Sequence, residues 1–259
     1  MSARLLGLTT EVTPEVTPKN RPEFVVPSSI LQRMAAMSSR RLPLDELATS
    51  GRSMRLHSGM IARVKDAQIR AATKTALFLQ HVGDATTVIF EELGVQHGSA
   101  RIDLAVVNGE LQGFELKSDR DTLSRLPEQA EAFGRVFDRV TLVVGERLLR
   151  RAVEVVPDWW GIRVARMEGA DLAFSDLRLA FNNPTPDATS IARLLWRDEA
   201  LNLLDKCGSA TGVRSKGRTE IYSRVCEKVS LDDLRYWVRR CLRQRRDWRS
   251  VATRLSCGG

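Results

Sequence analysis

The hydrophobic pattern changes period several times along this chain, and those changes mark its elements. From Gly59 onward Ile69, Ala72, Ala76, Leu77 and Gln80 fall on one helical face, and Gly83-Asp84 ends that helix. Residues 86–90 are β-branched and apolar, which predicts a strand. Residues 101–107 and 111–117 predict two more around Asn108-Gly109, a strong hairpin signal. Residues 126–136 then predict a helix with Ala130, Phe133, Val136 and Phe137 inward. Residues 140–144 form the continuous apolar run of a strand buried on both faces. A further strand is expected at 162–167, after the turn Pro157-Asp158-Trp159-Trp160-Gly161. Helix, three strands, helix and strand in that order predict an α/β fold with helices flanking a mixed sheet.

The flanks read differently. Residues 1–57 are rich in Ser, Thr, Pro and Arg and carry the imperfect repeat Thr10-Glu11-Val12-Thr13-Pro14 and Glu15-Val16-Thr17-Pro18. They predict an extended or mobile arm with a short helix near 29–37. After Asn182-Asn183-Pro184-Thr185-Pro186 the chain becomes helical and basic. Leu194, Leu195, Leu201, Leu203 and Leu204 suggest one helix. Leu231, Leu234, Val238, Cys241 and Leu242 give another, starting from Ser230 with Asp232 and Asp233 in its first turn. The expected division is an arm at 1–57, a core at 58–183 and a basic helical region at 184–259.

Charge sharpens that division. The net charge of +8 is concentrated at the C-terminal end: residues 201–259 hold 14 Lys and Arg against 6 Asp and Glu, and residues 1–200 balance. A basic segment of this kind suits a polyanion, since each neutralised phosphate releases counterions, although a solvated helical face would look the same. No apolar run is long enough to span a bilayer and no signal-peptide core is evident, so a soluble, cytoplasmic protein is expected. Cys207, Cys226, Cys241 and Cys257 form no C-x-x-C pair and are expected to be reduced and mostly buried. No Walker glycine loop, nucleophile elbow or dinucleotide fingerprint occurs.

The chemistry lies in the hairpin. Arg101-Ile102-Asp103-Leu104 puts an acid on one strand, and Phe114-Glu115-Leu116-Lys117 puts an acid-x-lysine triplet on the next. By simple alternation Arg101, Asp103, Ala105 and Val107 share one face, and Ile102, Leu104 and Val106 the other. A two-residue loop would pair Asp103 with Phe114 and drop the Glu115 carboxylate among aliphatic side chains, at a cost of several kcal/mol. An odd loop, or a one-residue bulge, instead sets Ile102, Leu104 and Val106 with Phe114 and Leu116 and brings Asp103 and Glu115 together. An odd loop with Gly109 left-handed is therefore expected, with the two acids in diagonal positions roughly 7–8 Å apart at the backbone. Asp103, Glu115 and the Leu116 carbonyl would hold Mg²⁺ or Mn²⁺, since these are hard oxygen ligands, and Lys117 would orient the attacking water.

The acid, the acid-x-lysine and the element order together resemble the PD-(D/E)XK nuclease superfamily. The stretches Gly98-Ser-Ala-Arg-Ile-Asp-Leu-Ala-Val-Val-Asn-Gly, Phe114-Glu-Leu-Lys-Ser-Asp, Arg125-Leu-Pro-Glu-Gln, Val136-Phe-Asp-Arg-Val-Thr-Leu-Val-Val, Pro157-Asp-Trp-Trp-Gly-Ile and Leu195-Trp-Arg-Asp-Glu-Ala-Leu are similar to the bacterial sce7726 group. The resemblance covers about residues 64–250. It implies a restriction-endonuclease-like core, metal binding by Asp103 and Glu115, and a water-assisting Lys117. It further implies a catalytic glutamate, Glu92 with Glu91 as the alternate, and places Gln129 in the site with Phe133 packing behind it.

Arg101, Ser118 and Arg125 lie near enough to touch phosphate, and Arg239, Arg243, Arg245 and Arg246 interleave with Trp237 and Trp248 as a basic clamp. Trp159-Trp160 reads as core or interface packing ahead of a base-stacking platform. The function expected is a Mg²⁺-dependent nuclease acting on DNA, in repair, mobile-element function or phage defence, with a homodimer or a protein partner compatible with it. The alternatives are a catalytically silent nucleic-acid-binding module and a protein-interaction module on the same fold.

Overall fold

The computed structural model describes residues 63–245; the arm expected at 1–57 and the residues from Arg246 onward lie outside it. A six-stranded sheet runs β1 (Val88–Val95), β2 (Ala100–Val107), β3 (Leu111–Lys117), β4 (Arg139–Gly145), β5 (Gly161–Glu168) and β6 (Asp171–Arg178), in that spatial order. Strands β1, β2 and β3 are antiparallel, β3, β4 and β5 are parallel, and β6 returns antiparallel along the edge. The helices are α1 (Asp66–Gln80), α2 (Leu126–Gly134), α3 (Leu149–Val153), α4 (Ala188–Ala192), α5 (Arg197–Lys206), α6 (Arg218–Lys228) and α7 (Leu231–Gln244). The α/β plan with a mixed sheet between helices is thus the observed architecture.

Each face of the sheet is closed by different helices. Ile69 and Leu77 of α1 pack with Leu104, Val106, Phe114, Leu116 and Val143. On the other face Ala130 and Phe133 of α2 join Val107, Leu111, Leu142 and Ile162, and the same cluster continues into the C-terminal helices through Ile191, Leu204, Ile221 and Val238. Trp160 is fully buried there, stacked on Phe133 at 6.3 Å between ring centroids, so the tryptophan pair packs the core.

A buried carboxylate bolts the last helix to the sheet. Asp138, just before β4, accepts from the Leu111 amide at 2.6 Å and from Arg235 Nε of α7 at 2.8 Å, while Arg239 lies 3.6 Å from its second oxygen. Ser230 caps α7 by accepting from the Asp233 amide, as its sequence suggests.

The sequence pattern misses several elements. Strand β6 and helices α3, α4 and α6 have no counterpart in the sequence pattern, because half-exposed or short elements carry little periodicity. The leucines expected in one helix are divided, with Trp196 at the N-cap of α5 and its amide donating to Glu199 at 2.7 Å. Of the cysteines described, Cys241 is buried but Cys207 and Cys226 are only partly so, and none is paired.

Candidate metal and phosphate site

The hairpin loop decides the site. Val107 pairs with Leu111, leaving the three residues Asn108, Gly109 and Glu110 between the strands. This is the odd loop that hydrophobic patterning demanded. Gly109 is not among the glycines with positive φ, however. The Asn108 side chain accepts from the Glu110 amide at 3.0 Å and closes the loop instead, so no left-handed residue is needed. Continuing the register puts Asp103 directly opposite Glu115 rather than diagonal to it.

Simple alternation fails at one place. Leu104 and Val106 pack on the α1 face with Phe114 and Leu116, as expected, but Ile102 packs on the opposite face with Ala105 and Val107. The change of parity falls at Asp103. It is matched in β1, where Ile89 lies on the α1 face and Phe90 and Leu93 on the other, with Glu92 between Glu91 and Leu93 at φ 56°. A left-handed glutamate in a strand is strained, and it turns the strand over at that residue. The ladder pairs Glu91 with Leu104 and Leu93 with Ile102, so Glu92 and Asp103 face each other across the defect. Gly113 leaves room for the displaced Ile102, whose Cδ1 would lie 2.9 Å from any Cβ there.

Asp103 consequently projects along the sheet into the gap where the β2–β3 ladder stops. Its Oδ2 accepts from the Leu116 amide at 2.8 Å, and its Oδ1 accepts from Arg70 at 2.6 Å. Arg70, on α1, donates its other terminal nitrogen to Glu92 at 2.9 Å. Nothing in the sequence singled out Arg70, since a charged residue one place along from the buried Ile69 reads as solvated surface. Lys74, one turn further, pairs with Glu91 at 2.7 Å. Of the two glutamates it is therefore Glu92 that shares a partner with Asp103.

Glu115 and Lys117 form the buried half of the site, at 1% and 6% exposure. Lys117 Nζ donates to Glu115 Oε1 at 2.7 Å and to Gln129 Oε1 at 3.0 Å, and Gln129 Nε2 donates to the same Glu115 oxygen at 2.7 Å. Helix α2, opened by Pro127 in its first turn, supplies Gln129 while Phe133 packs behind it against Phe137 and Trp160. Burial, reinforced by the nearby Asp103 charge, raises the Glu115 carboxyl to about 7, against the opposing pull of Lys117. Its Oε2 is buried with no hydrogen-bond partner.

That orphaned oxygen is the test of metal fit. A buried carboxylate oxygen without a donor marks a place for an ion or water. Asp103, Glu115 and the Leu116 carbonyl offer the hard oxygens that Mg²⁺ or Mn²⁺ takes, and Mg²⁺ commonly needs only one or two carboxylates because it keeps several waters. Among the described residues no group of three or more His, Cys, Asp or Glu side chains forms a metal cage. Glu92 therefore enters through Arg70 and not as a third ligand in this arrangement.

The expected phosphate contacts divide into three groups. Arg101, 52% exposed along its side chain, and Arg125 stand open to solvent near the site, and Arg243 is half-exposed. Three others are committed inside the fold. Ser118 is buried and its hydroxyl accepts from the Arg120 amide at 3.3 Å. Arg239 faces Asp138. Arg245 bonds Glu199 through Nε at 2.9 Å and the Leu194 carbonyl at 2.8 Å, and lies over the Trp196 ring at 4.3 Å. The two arginine placements share a cause: α7 must bury one face, and the arginines beside that face find carboxylates. Arg246 is outside the described residues. Arg120, exposed in the loop after Lys117, was not foreseen.

The family model described as Bacteriophage P4 protein cII matches residues 63–253. The chain belongs to the phage P4 cII family. One relative, "Protein cII" of Enterobacteria phage P4, is 48% identical over 62 residues, which is 24% of this chain. The chain spans in that match only 23% of the relative's length. No solved structure matches. The family match takes in every residue from Arg70 to Gln129 that builds the site. No helix among the described residues is long and apolar enough to cross a membrane.

Proposed function

We propose that this member of the P4 cII family is a Mg²⁺- or Mn²⁺-dependent nuclease on a restriction-endonuclease-like, PD-(D/E)XK core, hydrolysing phosphodiester bonds in DNA. One observation carries the reading: Asp103, Glu115, Lys117 and Gln129 converge at the fork of β2 and β3, with Glu115 Oε2 buried and unpartnered. The order α1, β1, β2, β3, α2, β4 supports it as the order that the resemblance implies.

Asp103, Glu115 and the Leu116 carbonyl would hold the metal, which supplies Lewis acidity and a more acidic bound water. Gln129 and Lys117 fix the Glu115 carboxylate in one rotamer. Lys117 spends two of its three N–H donors on Glu115 and Gln129. Its third remains to orient a water or to stabilise charge developing on phosphate. Arg101, Arg120 and Arg125 steer the nucleic-acid backbone. A single site of this kind cuts one strand, so two copies acting together would cut both.

A second reading has its own observation. The Arg70 guanidinium already occupies Asp103 and Glu92, as it would in a silent nucleic-acid-binding module that keeps the fold without the metal. Incubating wild type, Lys117→Ala and Asp103→Ala with linear, circular and single-stranded DNA and Mg²⁺ or Mn²⁺ separates the two. Cleavage by wild type alone, with DNA binding kept in all three, supports the nuclease. Equal behaviour of the three proteins removes it.

A further inference from the structure

The two nitrogens of Arg70 do separate jobs. One holds Glu92 at 2.9 Å and the other holds Asp103 Oδ1 at 2.6 Å, across the point where both strands reverse parity. The Leu116 amide already holds the second Asp103 oxygen. Both oxygens of the carboxylate are thus engaged by donors, whereas across the fork Glu115 keeps one oxygen unpartnered. A divalent cation shared by Asp103 and Glu115 finds one open oxygen on Glu115, beside the one that Lys117 holds, but no open oxygen on Asp103, where the Arg70 guanidinium stands in its way.

We infer that Arg70 is an exchangeable internal cation: it neutralises Asp103 and Glu92 while no metal is bound, and a metal entering the Asp103–Glu115 fork displaces it from Asp103. The inference rests on the metal reading above and adds a competitor to it. The geometry permits the exchange, because the contact to Glu92 uses a different nitrogen and holds the guanidinium in place after Asp103 lets go. Arg70 is a quarter exposed, so the released nitrogen reaches water without a rearrangement of the core. The strained Glu92 backbone gains a purpose from this, since φ 56° is what aims its carboxylate at the arginine that Asp103 shares. Arg70 is then a positioning residue: it keeps two like charges side by side in the metal-free protein and sets the metal concentration at which the site fills.

A merely structural arginine and a competing one differ in the sign of one effect. Removing a structural clamp loosens the carboxylates and weakens metal binding; removing a competitor strengthens it. Calorimetric titration of the full chain with Mn²⁺ alone, without nucleic acid, reads that sign for wild type, Asp103→Ala, Arg70→Ala and Arg70→Lys. Arg70→Ala is expected to bind Mn²⁺ about fivefold more tightly than wild type, the low end of ordinary coupling between sites. Arg70→Lys should fall between them, because one ammonium bridges two carboxylates less well than a forked guanidinium, and it stands as the test if Arg70→Ala does not fold.

Wild type that binds Mn²⁺ and loses it in Asp103→Ala, with equal or weaker binding in both Arg70 variants, overturns the inference and leaves the metal reading intact. Binding by the Arg70 variants alone supports the competitor and overturns the nuclease reading of the native chain. Failure of all four proteins to bind overturns both.

Discussion

Lys117 and Glu115, two positions apart on one strand, share a single buried contact at 2.7 Å, and the second Glu115 oxygen is left with no partner at all. An ion pair so incompletely satisfied is costly to keep dry. Its worth lies in what the empty oxygen can hold.

The pair should make stability depend on pH in a particular direction. Burial raises the Glu115 carboxyl to about 7, above its value in the unfolded chain. Between the ordinary carboxylate range and about pH 7 the folded state binds more protons, so stability falls as pH rises through that window and levels above it. Lys117→Met removes the charge that holds the carboxyl down, and the window then extends upward. The variant should match wild type near pH 5 and fall behind it by about 1 kcal/mol by pH 8, the worth of one further proton over one pH unit. Urea denaturation at the two pH values measures this; a penalty independent of pH would contradict the raised carboxyl.

The left-handed backbone at Glu92 makes an unusual ordering of variants. Glycine adopts φ 56° freely and alanine does not, so Glu92→Gly should be more stable than Glu92→Ala by about 0.5–1 kcal/mol, after the extra unfolded-state entropy of glycine is subtracted. In an ordinary strand position the order is reversed. Denaturant midpoints of the two proteins decide it.

The arginines should divide by role. Arg125→Ala, at an exposed position, is expected to weaken DNA binding and reduce its salt slope by about 1 while leaving the melting temperature alone. Arg245→Ala should leave the salt slope unchanged and destabilise the fold by about 1–3 kcal/mol, because the largely buried Glu199 would keep only the Trp196 amide. Salt-dependent binding isotherms beside thermal melts test both halves. A salt-slope change in Arg245→Ala would return that residue to the nucleic-acid surface.

Much of this molecule is legible in local pattern. Period-two and helical apolar spacing place α1, α2 and strands β1 to β5, and the need to keep Glu115 off an aliphatic face fixes the odd loop between β2 and β3. Local spacing determines such features because strand alternation and the helical turn are short-range geometry. It is the resemblance that puts Gln129 in the site; on α2 it reaches the acid-lysine pair while Phe133, one turn on, packs the core.

What only the tertiary structure decided involves partners far apart in sequence. The parity reversal at Asp103 exists because Glu92, eleven residues earlier, adopts a left-handed conformation opposite it. Arg70 becomes part of the site because α1 crosses the sheet above that defect, and Arg239 and Arg245 leave the predicted phosphate surface because Asp138 and Glu199 meet them in the folded chain. A charged side chain carries the same letter whether it faces water or a carboxylate. Its role is set by the electrostatic partner that folding brings within reach, and no local period encodes that distance.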